Sequence, residues 1–476
     1  MNKNPDPLSA EILVMGLPSK IQEFPTRVVI GNSQDRISHL PDGILCHILS
    51  FLPTKYAVGT SVLSTRWKYL WTFIPNLEFD DTLLFTAEES KRHPVATCFM
   101  NFVDKVLDLH DVSYITNFSL KCSEDYDLSR VDAWISTVMK KNVQELDLYF
   151  FMNYPIALPR CLFTSESLKV LKLTYEITFD IPTDAHFPNL RVVHLTSVLF
   201  QDGNSTQRLI SGCPVLEVLV IDKSGIDGIE VFNVCSPTLK RFTLSCCLDN
   251  LEDDCECTFL VEASALEYFE LTDIVQNHYT LTNLCSLINA KIDVLFCRER
   301  AFEILQGIFM VKYLSLSYFM VEALYESNKD FPIFRNLIYM DLANEDYVGQ
   351  LSQLSQPPET ACNQDAINKL LESSPALEVL ILNAEHVRLS NWSPPQSVPG
   401  CLVLHLEALE IRGFKEQEEV MLLANYFLEN AKVLKKMTIV SVGLDVEQEL
   451  NISKKVLSLP RGSDNCQISI SNKALS

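Results

Sequence analysis

The sequence contains little glycine and none of the short motifs that mark the common enzyme classes. Only 14 of its 476 residues are glycine, so loops in which the backbone closely approaches a phosphate group are not expected. The patterns GxGxxG, GxxxxGK[S/T], HExxH and GxSxG do not occur in the chain. These absences argue against nucleotide-dependent, metalloprotease and serine-hydrolase chemistry. We therefore expect a protein that is not an enzyme and uses no cofactor.

The sequence also lacks an excess of positive charge and any long apolar run. Acidic residues number 61 and basic residues 39, which gives a net charge of −22. The summed field repels nucleic-acid backbones, so we expect no nucleic-acid partner. No window of about eighteen apolar residues is present and the first residues do not resemble a secretory signal. We expect no membrane association and a cytoplasmic and/or nuclear location.

The 15 cysteines are odd in number and scattered, often inside apolar runs. Cys297 and Cys401 are examples, and a reduced thiol acts there as a small apolar group. The stretch CCLDNLEDDCEC (246–257) could in principle hold zinc through four thiolates, those of Cys246, Cys247, Cys255 and Cys257. Its CC and CxC spacings differ from the two-to-four-residue gaps of structural zinc sites. We predict no metal there.

A unit of the form apolar-x-x-apolar-x-apolar recurs through most of the chain. Clear copies are LKVLKL (168–173), LRVVHL (190–195), LEVLVI (216–221), LKRFTL (239–244), LEYFEL (266–271), LEVLIL (377–382) and LEALEI (406–411). Weaker copies begin at Ile115, Val143, Ile292, Val311, Leu337 and Leu434. Most intervals between copies fall in the range of leucine-rich repeats, which are about 20–29 residues long.

The fourth and sixth positions of each unit lie two residues apart, so on a strand they point to the same side. A single strand cannot bury this row, and neighbouring copies must stack into a solenoid with a parallel sheet along one face. Residues 207–217 and 366–378 predict short helical returns that end before Pro214 and Pro375. The longest interval contains residues 344–365, which we interpret as a projecting loop.

Residues between the inward apolar positions should lie on the open face of the sheet. We predict that this face contacts a protein target, although any one of these positions more often serves solubility alone. The candidate residues are Glu145, Asp147, Lys172, His194, Asp222, Thr243, Glu270, Ser315, Asp341 and Asn383.

The stretch LPDGILCHILSFLPTKYAVGTSVLSTRWKYLW (40–71) holds its large apolar residues in tight groups. Apolar residues at helical spacing follow Pro41 as far as Pro53, a short segment carries Val58 and Val62, and a third helical pattern covers 64–74. These short helices cannot bury all of their apolar side chains. They could simply cap the solenoid, since the first repeat of such an array needs cover, or they could dock a partner.

The residues of this stretch closely resemble an F-box, including the Leu-Pro start, the two Ile-Leu pairs and Ser-x-Arg-Trp before Leu-Trp. The resemblance implies docking to a Skp-family adaptor and, through it, to a cullin-RING ubiquitin ligase. The adaptor-binding residues that it implies, with the last three completing or supporting the surface, are Leu40, Pro41, Ile44, Leu45, Ile48, Leu49, Leu52, Val62, Leu63 and Trp67.

The C-terminal segment resembles the FBD domain of plant F-box proteins in RGF (412–414), FLENAKVLKKMTI (427–439) and LSLPRGSDNCQISI (457–470). It predicts a strand, a helix over 416–430 and a further strand over 434–440. The fold expected is α/β, with a three-helix F-box, an irregular leucine-rich-repeat solenoid with a parallel sheet, and a closing FBD segment. The domain boundaries expected are 1–34 for a flexible leader, 35–80 for the F-box, 81–390 for the repeats and 391–476 for the FBD.

These features together predict a non-catalytic, substrate-recognition subunit of a Skp–cullin–F-box ubiquitin ligase. One alternative is a repeat-based interaction scaffold whose F-box no longer engages a ligase. Another is a secreted or receptor-type leucine-rich-repeat protein, which the Asn-x-Ser/Thr triplets at Asn117, Asn204, Asn391 and Asn451 would suit and the lack of a recognisable signal peptide opposes. Adaptor binding separates the first alternative from the ligase role, and glycosylation or an oxidised cysteine pair would support the second.

Overall fold

The computed structural model describes residues 37, 39–83, 92–175, 177–223, 229–246, 257–273, 277–294, 300–327, 329–343, 362–384, 387–388, 397–414, 418–442 and 446–473. The chain divides into two compact units, Met1–Leu216 and Glu217–Ser476.

The first unit begins with short helices and continues as a parallel sheet. Its helices are α1 (Asp42–Leu49), α2 (Thr54–Gly59), α3 (Arg92–Leu109), α4 (Leu128–Lys140) and α5 (Ser205–Gly212), and 3₁₀ segments occupy Thr60–Val62, Trp67–Phe73, Asp81–Leu83 and Arg160–Thr164. Its strands are β1 (Asn76–Asp80), β2 (Asn117–Cys122), β3 (Glu145–Phe150), β4 (Ile156–Ala157), β5 (Val170–Thr174), β6 (Ile177–Phe179), β7 (Val192–Thr196) and β8 (Leu199–Phe200).

Strands β1, β2, β3, β5 and β7 pair in that order, all parallel, while β4, β6 and β8 form a second, smaller parallel sheet. Burial alternates along the main strands, so every second side chain enters the core. Helix α4 begins where Asp127 Oδ1 accepts a hydrogen bond from the Ser129 backbone N–H at 2.9 Å. It buries Val131, Trp134 and Val138 at helical spacing.

The second unit repeats the same plan with more strands. The ladder contains β9 (Val218–Lys223), β11 (Arg241–Cys246), β13 (Tyr268–Asp273), β15 (Asn289–Val294), β16 (Tyr313–Leu316), β17 (Tyr339–Asp341), β19 (Val379–Asn383), β21 (Ala408–Phe414), β22 (Lys436–Val442) and β23 (Gln467–Lys473), paired in parallel in that order. The short return strands are β10 (Val231–Cys235), β12 (Thr258–Glu262), β14 (His278–Thr282), β18 (Cys362–Asn363) and β20 (Val387–Arg388).

The helices of this unit lie in its return segments. They are α6 (Ala301–Gly307), α7 (Tyr318–Glu326), α8 (Gln364–Glu372), α9 (Gly400–Leu404), α10 (Glu418–Asn430) and α11 (Val446–Leu457). Aromatic side chains stack from one repeat to the next inside the core: the ring centroids of Phe242 and Phe269 are 5.7 Å apart, and those of Phe232 and Phe259 are 5.3 Å apart. This stacking contributes beyond the burial of apolar area.

The predicted α/β architecture with a parallel repeat sheet is confirmed, and each of the thirteen predicted units contains or overlaps a ladder strand. One register was wrong: the unit placed at Ile292 begins at Leu287, because its strand is Asn289–Val294 with Ala290 and Ile292 buried. Two further ladder strands, β1 and β23, were not counted among the units. The helical returns before Pro214 and Pro375 are observed as α5 and α8.

The predicted projecting loop lies mostly outside the described residues, which omit 344–361. Residues 362–363 form β18 and residues 364 onward form α8. The helix expected over 416–430 is α10, and the closing strand expected over 434–440 is β22. The third helical pattern, over 64–74, is a 3₁₀ segment rather than an α-helix.

Candidate functional site

Helix α1 carries apolar residues on two neighbouring faces, one buried and one exposed. Pro41 precedes it with a φ of −57° and Asp42 stands in its first turn, as the helix dipole favours. Leu45 and Leu49, four residues apart, are buried at 0% and 1% exposure. A single helix of eight residues therefore has both an inward and an outward apolar side.

The outward side continues past the end of the helix. Ile44, Ile48 and Phe51 recur at spacings of four and three, and they are 48%, 45% and 73% exposed. The side chains of Phe51 and His47 are in edge-to-face contact, with ring centroids 4.9 Å apart. Three large apolar residues on one turn-aligned stripe facing solvent are typical of an interaction surface.

The structure divides the predicted adaptor residues into an exposed or partly exposed group and a buried group, which is Leu45, Leu49 and Trp67. Those on the outside are Ile44, Ile48, Leu52, Val62 and Leu63, all exposed, together with exposed Pro41 and partly buried Leu40. Four exposed aromatic residues of the same segment were missed by the sequence analysis: Phe51, Tyr56, Tyr69 and Phe73.

Leu45 and Leu49, which were expected to meet the adaptor, are buried in this chain, and so is Trp67. Trp67 is 8% exposed, and the two leucines are sealed within this chain. Helix α1 packs against the 3₁₀ segment that contains Trp67, and the thiol of Cys46 donates to the carbonyl oxygen of Leu70 at 3.4 Å. Trp67 therefore supports the surface from inside, which is one of the two roles expected of it.

Arg66 fixes the start of α1 from the opposite side of the segment. Its Nε and Nη2 donate to Asp42 Oδ1 at 2.9 and 2.6 Å, and Nη2 also donates to the backbone carbonyl oxygen of Leu40. A guanidinium suits this task because it offers several donors in a fixed fork. The Arg-Trp pair of the motif thus combines an outer clamp with an inner packing residue.

Several hydrogen bonds join the helical segment to the first strand of the sheet. Thr54 is fully buried and its Oγ1 accepts from the Glu78 backbone N–H at 2.8 Å. The Asn76 side-chain amide donates to the Ser50 carbonyl oxygen at 3.4 Å. Because β1 pairs in parallel with β2, the helices are bonded to the beginning of the repeat sheet.

The residues predicted to contact a target lie on the face of the sheet opposite the apolar core. Glu145 is exposed, and most of the others are partly exposed. In the first unit Asp147, Lys172 and His194 are register partners on β3, β5 and β7. In the second unit Thr243 is in register with Glu270, and Ser315 with Asp341. Asp222 lies at the end of β9.

Asn383 is the exception among the predicted face residues, because it is 1% exposed. The hydroxyl of Tyr318 donates to its carbonyl oxygen at 3.0 Å and accepts from its backbone N–H at 2.8 Å. Tyr318, at the start of α7, therefore holds the end of β19, and the prediction that Asn383 is solvent-exposed was wrong.

Charged residues on this face of the second unit neutralise one another. Lys291 Nζ lies 3.1 Å from Glu270 Oε1, and the Tyr268 hydroxyl donates to Glu270 Oε2 at 2.9 Å. Arg412 Nε lies 2.7 Å from Glu410 Oε1. Tyr268, which was not among the predicted face residues, lies beside them, and the guanidinium of Arg241 stacks 4.0 Å from the centroid of its ring.

The cysteine stretch 246–257, at which no metal was predicted, is only partly within the described residues. Cys246 and Cys257 are buried, whereas Cys247 and Cys255 lie outside the described parts. Among the described residues no group of three or more His, Cys, Asp or Glu side chains is arranged to hold a metal ion. The cysteines whose side chains are described are free thiols.

No helix within the described ranges is both long and apolar enough to cross a membrane.

Comparisons with known proteins match three parts of this chain. Residues 37–78 match the F-box domain model, residues 131–301 match the model for the leucine-rich repeats of the FBD-associated F-box protein At5g56370, and residues 394–439 match the FBD model. The first match covers the helical segment with the exposed apolar stripe. The second lies within the repeat sheets, and the third covers β21, α10 and the first part of β22.

Similar full-length proteins come from Arabidopsis thaliana. The F-box/LRR-repeat protein At4g14096 is 31% identical over 458 residues, covering 90% of this chain and 93% of that protein. The putative FBD-associated F-box protein At3g50710 is 31% identical over 91% of this chain and 99% of its own length. The F-box/FBD/LRR-repeat protein At5g56420 is 31% identical over 91% of this chain and 98% of its own length.

Proposed function

Because this chain belongs to the plant family of F-box/FBD/leucine-rich-repeat proteins, we propose that it is a substrate-recognition subunit of a Skp–cullin–F-box ubiquitin ligase. Its N-terminal helices dock a Skp-family adaptor, which joins it to the cullin, and its repeat sheets hold a protein target. The subunit performs no chemistry of its own. It raises the effective concentration of target lysines near the ubiquitin-charged enzyme, and we place this role in the cytoplasm or nucleus.

The exposed stripe of Ile44, Ile48 and Phe51 is the observation that carries the proposal. Each side chain is about half exposed or more, so covering it returns roughly 1 kcal/mol or more of apolar burial. Association of two proteins costs roughly 4–15 kcal/mol, so several anchors must be covered together. Leu52, Val62 and Leu63 supply further exposed apolar area in the same segment.

The inward residues give the proposal a scaffold that does not depend on the partner. Leu45 and Leu49 are already covered within the chain, and Arg66 bonds to Asp42 at the start of α1. The outward stripe is therefore held in place before any adaptor arrives, which lowers the ordering cost of binding. We propose direct adaptor contact for the exposed residues and support for the buried ones.

The test compares two isoleucines of similar exposure at different places in the fold. Ile48→Asp should reduce adaptor affinity at least about tenfold, because a charge replaces an apolar anchor, whereas Ile333→Asp, 54% exposed in the second unit, should leave it unchanged. Adaptor affinity is measured by calorimetry on the full chain, and circular dichroism verifies folding. Equal affinities for the two variants would remove the proposed docking surface.

The non-ligase scaffold has a distinct outcome in the same experiment. If the wild-type chain does not bind the adaptor at all while its folded state is intact, the ligase role fails and a repeat scaffold remains. A second measurement follows ubiquitination of this subunit itself in a reconstituted ligase. This ubiquitination should be lost in Ile48→Asp and kept in Ile333→Asp.

A further inference from the structure

One row of side chains crosses all five main strands of the first unit. Glu78, Ser119, Asp147, Lys172 and His194 are consecutive register partners on β1, β2, β3, β5 and β7. All five are polar, and all lie on the face opposite the apolar core, either exposed or half-buried. The row therefore forms a continuous polar track across the strands.

The charges along this track are separated by sign. Glu78 and Asp147 occupy the half formed by β1 to β3, and Glu145 adds an exposed carboxylate on β3. Lys172 and His194 occupy the half formed by β5 and β7. A ligand lying along this row meets carboxylates first and nitrogen bases second, while Lys121 on the same face of β2 is paired with Asp80 at 3.6 Å.

Three ionisable groups of the track make no close polar contact inside the first unit. Among the residues that the structure describes, the side chains of Asp147, Lys172 and His194 have no hydrogen bond or ion pair with another protein group. The corresponding charges of the second unit are paired, as Lys291 and Glu270 are at 3.1 Å. Half-buried charged groups that interact with one another only at a distance, without a hydrogen bond or close ion pair, remain able to accept an external partner.

Burial leaves these groups poorly solvated. It raises the pKa of Asp147, although the nearby charges of Lys172 and His194 act in the opposite direction. It also lowers the pKa of His194, and the charge of Lys172 adds to that effect. A cation placed against Asp147 would therefore gain more than it would against a fully hydrated carboxylate.

We propose that this track binds an extended segment of the target protein that carries Lys or Arg at one end and Asp or Glu at the other. The basic end lies over Glu78 and Asp147, and the acidic end lies over Lys172 and His194. This inference rests on the proposed target-receptor role and specifies the chemistry of the target. It commits to a protein segment because the two signs of charge occupy separate halves of the same row.

The geometry sets the spacing between the two charges of the target. Neighbouring strands lie about 4.8 Å apart, so β1 and β7 are separated by roughly 19 Å. An extended chain covers about 3.3 Å per residue. The opposite charges of the bound segment are therefore up to about six residues apart.

The probes are four synthetic peptides of about twelve residues, a length that crosses all five strands when the peptide is extended. The mixed peptide has one lysine and one glutamate about six residues apart, and its compact form has the same two charges on adjacent residues. The other two have lysine or glutamate at both positions. Fluorescence anisotropy measures their affinity for the full chain at roughly 0.15 M salt. The separated mixed peptide should bind at least about tenfold more tightly than the other three.

Two neutral variants and one matched control assign this binding to the track. Asp147→Asn and Lys172→Gln should each reduce affinity for the mixed peptide by about five- to tenfold. Lys169 is an exposed lysine that directly precedes β5 and donates a hydrogen bond to the Gln144 side chain. The control variant Lys169→Gln should leave the affinity for the mixed peptide unchanged. The three variants should fold as the wild type does, because no internal ion pair of Asp147 or Lys172 is broken. Circular dichroism checks this.

The inference is overturned if the mixed peptide shows no measurable binding at about 1 mM, or if it binds no better than the uniform peptides. It is also overturned if Asp147→Asn and Lys172→Gln bind as Lys169→Gln does. Adaptor affinity is measured on the same proteins and should be equal in all of them. Loss of adaptor binding in the wild type would instead remove the proposed function without changing the peptide result.

Discussion

His110 donates a hydrogen bond from Nε2 to the backbone carbonyl oxygen of Ile74 at 2.8 Å. Ile74 directly follows the 3₁₀ segment of the F-box and His110 directly follows α3, so this bond joins the F-box helices to the chain that leads into β2. Lys141 adds to the junction, because its Nζ donates to the His110 carbonyl oxygen at 2.7 Å and lies 3.4 Å from Nδ1. The His110 side chain is buried.

Removing this side chain should weaken the junction. His110→Ala leaves the Ile74 carbonyl oxygen without its donor and opens a cavity, so the free energy of unfolding should fall by roughly 1–3 kcal/mol. Three of the four tryptophans, at positions 67, 71 and 134, lie in the first unit, and their fluorescence follows denaturation. His405→Ala, at an exposed position, should change stability by less than about 0.5 kcal/mol. An equal loss in both variants would contradict this role.

The junction should also weaken in acid. Burial lowers the pKa of His110 and the charge of Lys141 adds to this, while the bond to Ile74 and the charge of Asp111 act in the other direction. The unfolded chain binds the proton with a pKa near about 6.5, and the native state binds it only at lower pH. Between these values the unfolded state holds more protons, so stability rises with pH and falls as pH drops below about 6.5.

Denaturation of the wild type and of His110→Gln at several pH values isolates this group, since other titrations are shared by both proteins. Below about pH 6.5, the wild type should lose stability relative to His110→Gln. A difference that stays constant from neutral to acidic pH would show that His110 does not carry the effect.

The two faces of α1 should respond differently to truncation. Leu45→Ala and Leu49→Ala remove buried side chains and should each cost roughly 2–5 kcal/mol of stability. Ile44→Ala, at a position about half exposed, should cost less than about 1 kcal/mol and instead reduce adaptor affinity. Thermal denaturation and adaptor calorimetry on the three variants check this separation. A stability loss for Ile44→Ala as large as that of the leucines would place it in the core.

The clamp of Arg66 on Asp42 should matter more for binding than for stability. The two side chains are 37% and 65% exposed, so their ion pair stabilises the fold by less than about 1 kcal/mol. Arg66→Ala should nevertheless reduce adaptor affinity about three- to tenfold, because α1 is no longer held at its start. Arg66→Lys should recover only part of this, since an ammonium lacks the fork. Hydrogen exchange over residues 42–46 should increase in both.

Glycine is required at one position of the second unit and not at another. A Cβ at Gly462 would come within 2.3 Å of the Glu429 carbonyl oxygen, whereas one at Gly400 would meet nothing within 4 Å. Gly462 also donates its N–H to the Leu428 carbonyl oxygen at 2.7 Å. Gly462→Ala should therefore destabilise the protein by roughly 1–3 kcal/mol, and Gly400→Ala should be neutral or slightly stabilising. Chemical denaturation monitored by circular dichroism compares the two.

The repeat period alone predicts the ladder, because each strand must bury the same pair of positions against its neighbours. The repeat pattern gives the wrong register where a neighbouring stretch fits it with more apolar residues than the true unit does. LINAKI, the true unit at Leu287, has Ala290 at its fourth position, whereas IDVLFC at Ile292 offers a leucine there. The strand β1 was overlooked inside the F-box segment, although Ile74, Leu77 and Phe79 of IPNLEF fit the same pattern.

The outward face of α1 could not be derived from periodicity. Ile44 and Leu45 are adjacent, as are Ile48 and Leu49, so two apolar stripes run side by side and either could face the core. Only the packing of the neighbouring segment decides between them. Phe51 was missed because it lies beyond the residue pairs that carry the F-box resemblance, but its spacing of three from Ile48 could have indicated it.

The F-box of this protein is poorly suited to transfer between proteins, because β1 bonds both to its helices and to β2 of the repeat sheet. A chimera cut after residue 80 would carry β1 away with the helices, leaving β2 with a row of bare backbone donors and acceptors. Such an unpaired edge strand can pair with the same strand of another molecule and promote aggregation. A cut placed between Ile74 and Asn76 would instead sever the bonds of Ser50 and Thr54 to β1. The F-box helices and the first strand of the repeat sheet are therefore expected to be exchanged, or lost, as one unit.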